Sequence, residues 1–270
     1  MFSRKEQTYI IGDSALDAIL GDAAQPLGQI SELLPEGASV LDIGAGNGML
    51  GRVLKRASKQ VTLDAIEPCE FAVDLAKPFY RKVYHGYAQD YSNMIMKNKY
   101  DYIVLADVLE HTTDPLGFLS DIIHDLDTST KVIVSIPNIA FGGVRLSLLN
   151  GMFDYVDSGL LERTHLRFFT LSLAQKLFQH VNLYSERTLF LKRSFYRMEF
   201  SRKMLRSSPF TILNLAFKSE ALAYQYMFVL SKEPKEPKLE YYGASTFTVI
   251  LDALFAWPMI KRMIHRWKKT

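Results

Sequence analysis

Acidic and imidazole side chains stand at Asp42, Glu67, Asp107, Glu110, His111 and His165, several of them beside turn-forming residues. Asp42 opens the loop Asp42-Ile43-Gly44-Ala45-Gly46-Asn47-Gly48. Glycines let a backbone turn tightly and let a ligand approach it closely. A helix starting directly after such a loop offers unpaired N–H groups to a polar or anionic ligand. The stretch admits two cofactors, because Gly46-Asn47-Gly48-Met49-Leu50-Gly51 also satisfies the dinucleotide pattern, with Glu67 near its expected acidic position. Asp42 weighs against a dinucleotide: a carboxylate is unfavourable beside a pyrophosphate, whereas a cationic aminoacyl-sulfonium ligand would accept it. Glu67, at the end of the next strand, suits bidentate acceptance from two ribose hydroxyls. Asp107, Glu110 and His111 fall within one helical turn, and with His165 they form an oxygen-plus-imidazole set able to hold Mg²⁺, Mn²⁺ or Zn²⁺. Without a metal, His111 and His165 are the candidates to take a proton from an acceptor hydroxyl.

The elements that must carry these residues follow from patterning. Helical pieces over 14–34 break near Gly21 and Pro26. Short apolar strands are expected at 39–43, 61–66, 82–85, 100–105 and 131–136, separated by helices at 49–58, 71–79 and 116–126. Strands alternating with helices predict a parallel sheet covered on both faces. In such sheets ligands bind beyond the carboxyl ends of the strands, where Asp42, Glu67, Asp107 and Pro137-Asn138 all fall. Residues 139–169 lack a regular pattern and read as a lid or substrate element. A helix resumes at 171–181, and strands at 185–191 and 224–231 complete the sheet. The expected division is an N-terminal helical cap (1–34), a catalytic domain (35–231) with a basic segment at 187–218, and a linker with an amphipathic tail (232–270).

Bulk properties exclude several classes. Of the 270 residues, 48% are hydrophobic and 23% charged, which is ordinary for a globular protein. A single cysteine, Cys69, rules out an intramolecular disulfide and a cysteine-based structural zinc site. The N-terminus shows no secretory h-region and no apolar run reaches a membrane span, so a cytoplasmic location is expected. The net charge of +3 conceals an imbalance: residues 187–270 hold 16 Lys/Arg against 6 Asp/Glu. Phe247 to Ile260 is apolar and is followed by Lys261, Arg262, Arg266, Lys268 and Lys269, a pattern suited to peripheral membrane contact through 247–269. Docking of that tail on the domain, or on a second copy in a homodimer, is the alternative; nucleic acid is not expected.

Val40-Leu41-Asp42-Ile43-Gly44-Ala45-Gly46-Asn47-Gly48, Asp64-Ala65-Ile66-Glu67-Pro68 and Tyr100 to His111 resemble three motifs of class I S-adenosylmethionine-dependent methyltransferases. The resemblance implies a Rossmann-like seven-stranded, mostly parallel sheet with a reversed last strand, a lid insertion and a C-terminal extension. It implies S-adenosylmethionine as cofactor, held by Asp42, Gly44, Ala45, Gly46, Gly48, Glu67, Pro68, Ala106 and Asp107. Tyr87 stands where the family usually has an aspartate for adenine, which shifts that contact to Ala88 or Asp90. The Asp107–His111 block with His165 is also similar to metal-dependent ubiquinone-pathway and small-RNA 2′-O-methyltransferases, although Asp107 replaces their glutamate with a shorter arm. Many metal-free relatives carry Leu-Glu-His at this place, so Glu110 and His111 equally suit ordering of the loop.

The block from Pro137-Asn138 to Arg163-Thr164-His165-Leu166-Arg167 is similar to a bacterial subgroup associated with surface-polysaccharide assembly. It implies O-methylation of a sugar or glycolipid hydroxyl. The expected substrate contacts are Asn138 in that block, Arg145, Arg163 and Arg167, which flank the expected lid and suit a bidentate grip on phosphate or carboxylate, and Tyr155 as a stacking wall. The rivals are a small aromatic or quinone acceptor, an NAD-dependent oxidoreductase, and a non-catalytic partner of a glycosyltransferase.

Overall fold

The computed structural model describes residues 13–252, apart from residues 125, 196–197 and 201–206. Three short parallel strands, β1 (Ser39–Ile43), β2 (Thr62–Glu67) and β3 (Lys82–His85), alternate with α3 (Met49–Arg56) and α4 (Glu70–Ala76). Ahead of them lie α1 (Asp13–Gly21) and α2 (Pro26–Leu33), the expected pair broken at Gly21 and Pro26. After β3 come α5 (Ser92–Asn98), β4 (Tyr102–Ala106), α6 (Pro115–Ile123) and β5 (Lys131–Pro137). The chain continues through α7 (Gly142–Leu149), α8 (Leu171–His180), β6 (Tyr184–Lys192), α9 (Pro209–Ala216), α10 (Ser219–Leu222), β7 (Ala223–Ser231) and β8 (Lys238–Gly243).

The sheet order is β3-β2-β1-β4-β5-β7-β6-β8. β7 runs antiparallel to both β5 and β6, as the reversed strand was expected to. Alternation along the strands explains the two cores. Leu41, Ile43, Ile103, Leu105, Val132 and Val134 face α6 and α8, whereas Val40, Ala65, Val104 and Ile133 face α2 and α3. Helix starts are cut by local chemistry: Asp114 caps α6 by accepting from the Gly117 N–H at 3.0 Å, with Pro115 in the first turn.

Two expectations are corrected. The sheet has eight strands, not seven, because residues 238–243 of the supposed linker and tail pair in parallel with β6. Arg187 forks onto Glu240 at 2.6 and 2.8 Å, and Phe190 packs on Tyr241 at 4.7 Å between ring centroids. The supposedly irregular 139–169 segment contains α7, which joins α9 and α10 in a third core around Phe141, Val144, Ile212 and Leu215. The basic tail beyond 252 lies outside the described residues.

Candidate active site

The carboxyl ends of β1, β2 and β4 open into a cavity of about 790 Å³ lined by Gly44, Gly46, Glu67, Pro68, Tyr87, Ala88, Asp107 and His111, among others. β1 leads into the glycine loop through a series of left-handed residues. Gly46 (φ 54°) lines the cavity with open space where a Cβ would stand. Gly48 (φ 80°) starts α3, and a Cβ there would lie 2.9 Å from the Ala76 backbone. Glu67 binds this loop from below: one carboxylate oxygen accepts from the Gly46 N–H at 2.8 Å, the other from the Cys69 N–H at 2.9 Å.

Asp42 does not line the cavity. It is buried under the loop and accepts from the Tyr80 hydroxyl at 2.6 Å, while that hydroxyl accepts from the Gly51 N–H at 3.2 Å. Burial pushes the Asp42 carboxyl up to about 7; the Tyr80 hydrogen bond opposes the shift and Glu67 adds to it. The geometry therefore makes Asp42 a support of the loop rather than a ligand contact. Ala45 and Gly48 are also outside the lining of the cavity, Ala45 packing in the core beside α3. Ala106 is likewise outside its lining, and Asp90 accepts from the Tyr87 N–H at 3.2 Å instead of facing inward.

A second cavity, of about 250 Å³, adjoins the first and shares Asp107 and His111 with it. Its other walls are Glu110, Pro137, Ser158, Gly159, Leu160, Glu162, His165, Tyr224 and Gln225. Asp107 has a left-handed backbone (φ 56°), uncommon for a non-glycine residue and frequent at functional sites. Its N–H donates to the Ser135 hydroxyl at 3.1 Å, and its carboxylate accepts from that hydroxyl at 2.8 Å and from the Gln225 amide. Burial raises the Asp107 carboxyl above its ordinary range, against those two hydrogen bonds.

Leu109–His111 form a single 3-10 turn pinned to the 139–169 segment: the Glu110 carbonyl accepts from the N–H groups of Leu166 (2.7 Å) and Arg167 (3.0 Å). The Glu110 carboxyl is buried, and neither oxygen has a hydrogen-bond partner among the described residues. Burial, with Asp107 nearby, pushes it well above the usual carboxylate range. His111 and His165 meet edge-on, ring centroids 4.9 Å apart. Each directs Nδ1 at a main-chain carbonyl at 3.1 Å, that of Thr164 for His111 and of Leu160 for His165. Those partners select the Nδ1–H tautomer, leaving Nε2 as an acceptor on both rings.

The expected substrate contacts line neither cavity. Asn138 is buried and saturated, donating to the Glu220 and Ala223 carbonyls and accepting from the Ala140 N–H. Arg145 donates to the Ala140 carbonyl, Arg167 to the Thr113 carbonyl, and Arg163 faces Asp157 at 3.4 Å on the surface. Tyr155 packs edge-on against Phe153. Long cations near a lid find backbone carbonyls as readily as a ligand. Ser158, Glu162, Tyr224 and Gln225 line the smaller cavity instead. Only Gln225 left a sequence signal, a polar side chain inside the apolar run from Ala223 to Leu230.

A nucleoside-sized cavity over a glycine loop, with an acidic residue ending β2, defines the site of a nucleoside-cofactor α/β enzyme. A family described as "Methyltransferase domain" matches residues 18–189, and the chain belongs to that family. This decides against the NAD-dependent oxidoreductase. Solved structures with the same fold include a SAM-dependent methyltransferase from Archaeoglobus fulgidus. It shares 16% identity over 84% of this chain and 98% of its own, with a TM-score of 0.55. Another, from Thermotoga maritima, is described as a possible histamine N-methyltransferase. It shares 17% identity over 82% of this chain and 94% of its own, at a TM-score of 0.51. No curated protein matches the sequence.

Proposed function

We propose that the protein transfers a methyl group from S-adenosylmethionine to a hydroxyl of a sugar or glycolipid acceptor. One observation carries this reading: the large cavity over the glycine loop and the small polar cavity under the lid meet at Asp107 and His111. S-adenosylmethionine supplies an electrophilic methyl with its leaving group already installed. The chain's task is then alignment, which is catalysis by proximity and orientation. Glu67 offers its remaining lone pairs to the ribose hydroxyls, Ala88 and Tyr87 lie toward the adenine end, and the open face of Gly46 admits the aminoacyl part. At the junction of the cavities His111 Nε2 would take the proton of an acceptor hydroxyl, while bound S-adenosylmethionine would supply the methyl and keep the sulfur as leaving group.

The smaller cavity favours a sugar over a flat aromatic ring. Ser158, Glu162, Tyr224 and Gln225 supply hydrogen-bonding groups, and Tyr224 is its one aromatic wall apart from the imidazoles. Transfer to phenols or quinols but to no sugar nucleotide or oligosaccharide, read by mass spectrometry, would replace this acceptor class. Cofactor binding is tested by Glu67→Gln, which also sets an amide N–H against the Gly46 or Cys69 N–H. Charge-assisted hydrogen bonds of this kind contribute about 1.5–3 kcal/mol, so calorimetry should show affinity for S-adenosylhomocysteine falling roughly 10–100-fold. Unchanged affinity would remove Glu67 from the cofactor site.

A second reading rests on the orphaned Glu110 carboxyl. Glu110, His111 and His165 each offer a ligand atom within 4.8 Å of the others, and Asp107, held by Ser135 and Gln225, stands outside that group. Main-chain carbonyls bonded to both Nδ1 atoms are the outer partners that metal-binding imidazoles carry. These three residues would hold a divalent cation whose chemistry is to polarise the acceptor oxygen. Cobalt titration of the chain should then give a ligand-field absorption band that His165→Ala removes. A flat titration, with full turnover in EDTA, leaves His111 acting as a base alone.

A further inference from the structure

The lid layer has an apolar outer face as well as an apolar core. On α9, Ile212, Leu215 and Ala216 point inward, yet Phe210 (77% exposed), Leu213 (41%) and the following Phe217 (69%) point out. A helix that is apolar all round is normally buried. Leu148 and Leu149 at the end of α7 line a groove of about 590 Å³ together with Phe210, Thr211, Asn214 and Leu215. Residues 246–252 are helical and continue this surface: the Thr246 hydroxyl donates to the Ala216 carbonyl at 2.9 Å, and Phe247 is exposed.

We propose that this face, made by α7, α9 and the helix at 246–252, docks on an anionic membrane surface. Charge selects the occupant. Among the described residues, the one ionisable side chain lining the groove is Arg145. In sequence, the stretches 201–218 and 246–270, parts of which lie outside the described residues, hold nine Lys/Arg and a single acid, Asp252. Apolar side chains that enter the headgroup boundary beside basic residues that meet anionic lipid are the two signals of peripheral attachment. Among the described residues no helix is long and apolar enough to cross a membrane, so attachment would be at the surface. The same layer supplies, through Ser158–Glu162, one wall of the small polar cavity. Docking here would therefore bring that cavity close to headgroups, although the docking itself does not depend on the acceptor assignment.

The test is vesicle co-sedimentation of the full chain without acceptor or cofactor. Binding to mixed phosphatidylglycerol–phosphatidylcholine vesicles, weak binding to phosphatidylcholine alone, and loss of binding at high salt are expected. Phe210→Ser and Leu149→Ser, on different helices, should each lower partitioning roughly tenfold. Their affinity for S-adenosylhomocysteine serves as the folding control. The proposal is overturned if the parent chain ignores anionic vesicles, or if both folded variants bind them as the parent does. It is equally overturned if light scattering shows a dimer that these variants split while vesicles go unbound, since the occupant is then a second copy.

Discussion

Turnover of His111→Asn is expected to fall by roughly 10²–10⁴-fold, with affinity for S-adenosylhomocysteine staying within about threefold. The substitution is chosen for its shape. The asparagine amide nitrogen stands in for Nδ1, so the contact with the Thr164 carbonyl and the course of the lid survive. What disappears is Nε2, the one imidazole acceptor that borders both cavities. His165 borders only the smaller one and is buried, which holds its imidazole below the ordinary range and hence neutral. Single-turnover kinetics with saturating cofactor separates the step from binding. Near-parental turnover would take His111 out of the chemistry and leave it as a loop contact.

The second large effect concerns stability. Asp42→Asn should gain on the parent chain by about 4 kcal/mol as pH rises from 4 to 8, at 1.36 kcal/mol per pKa unit. Burial sets the folded carboxyl at about 7, against 3.8 for an exposed aspartate. A carboxyl raised on folding contributes stability that is fully present below its unfolded value and is lost as pH climbs through the folded one. Ionisation of Asp42 therefore weakens the parent chain across pH 4–7, and the amide variant, which still accepts from Tyr80, is spared it. Paired urea titrations at several pH values read the difference. A constant gap between the two chains would show that Asp42 ionises without penalty, in contradiction of its burial and its Tyr80 contact.

Sheet polarity made most of the site legible beforehand. Apolar runs ending in Asp42, Glu67 and Asp107 mark strand ends, and in a parallel sheet those ends converge. The glycine loop is readable because backbone conformation there demands glycine. Asp42 misled for a physical reason: a carboxylate in a cofactor motif looks like a ligand contact, but only the fold reveals Tyr80, 38 positions away, as its partner. Tyr224 and Gln225 escaped because strand pairing alone sets Gln225 opposite Pro137. β8 escaped because two prolines and alternating charge precede it, and its main-chain pairing with β6 needs no buried apolar run.

The position of β7 has a consequence for how the chain is made. β5 is paired by β4 on one side and by β7 on the other, so its second edge stays open until residues beyond 222 have been synthesised. Through that interval the ribosome-bound chain exposes Val132-Ile133-Val134-Ser135-Ile136, a strand edge prone to pairing with other chains. Gln225 arrives in the same late strand and is the last of the groups that hold Asp107. The corner around Asp107 is thus completed only once β7 has emerged, and a nascent chain halted before it would carry the glycine loop without Gln225 to hold Asp107.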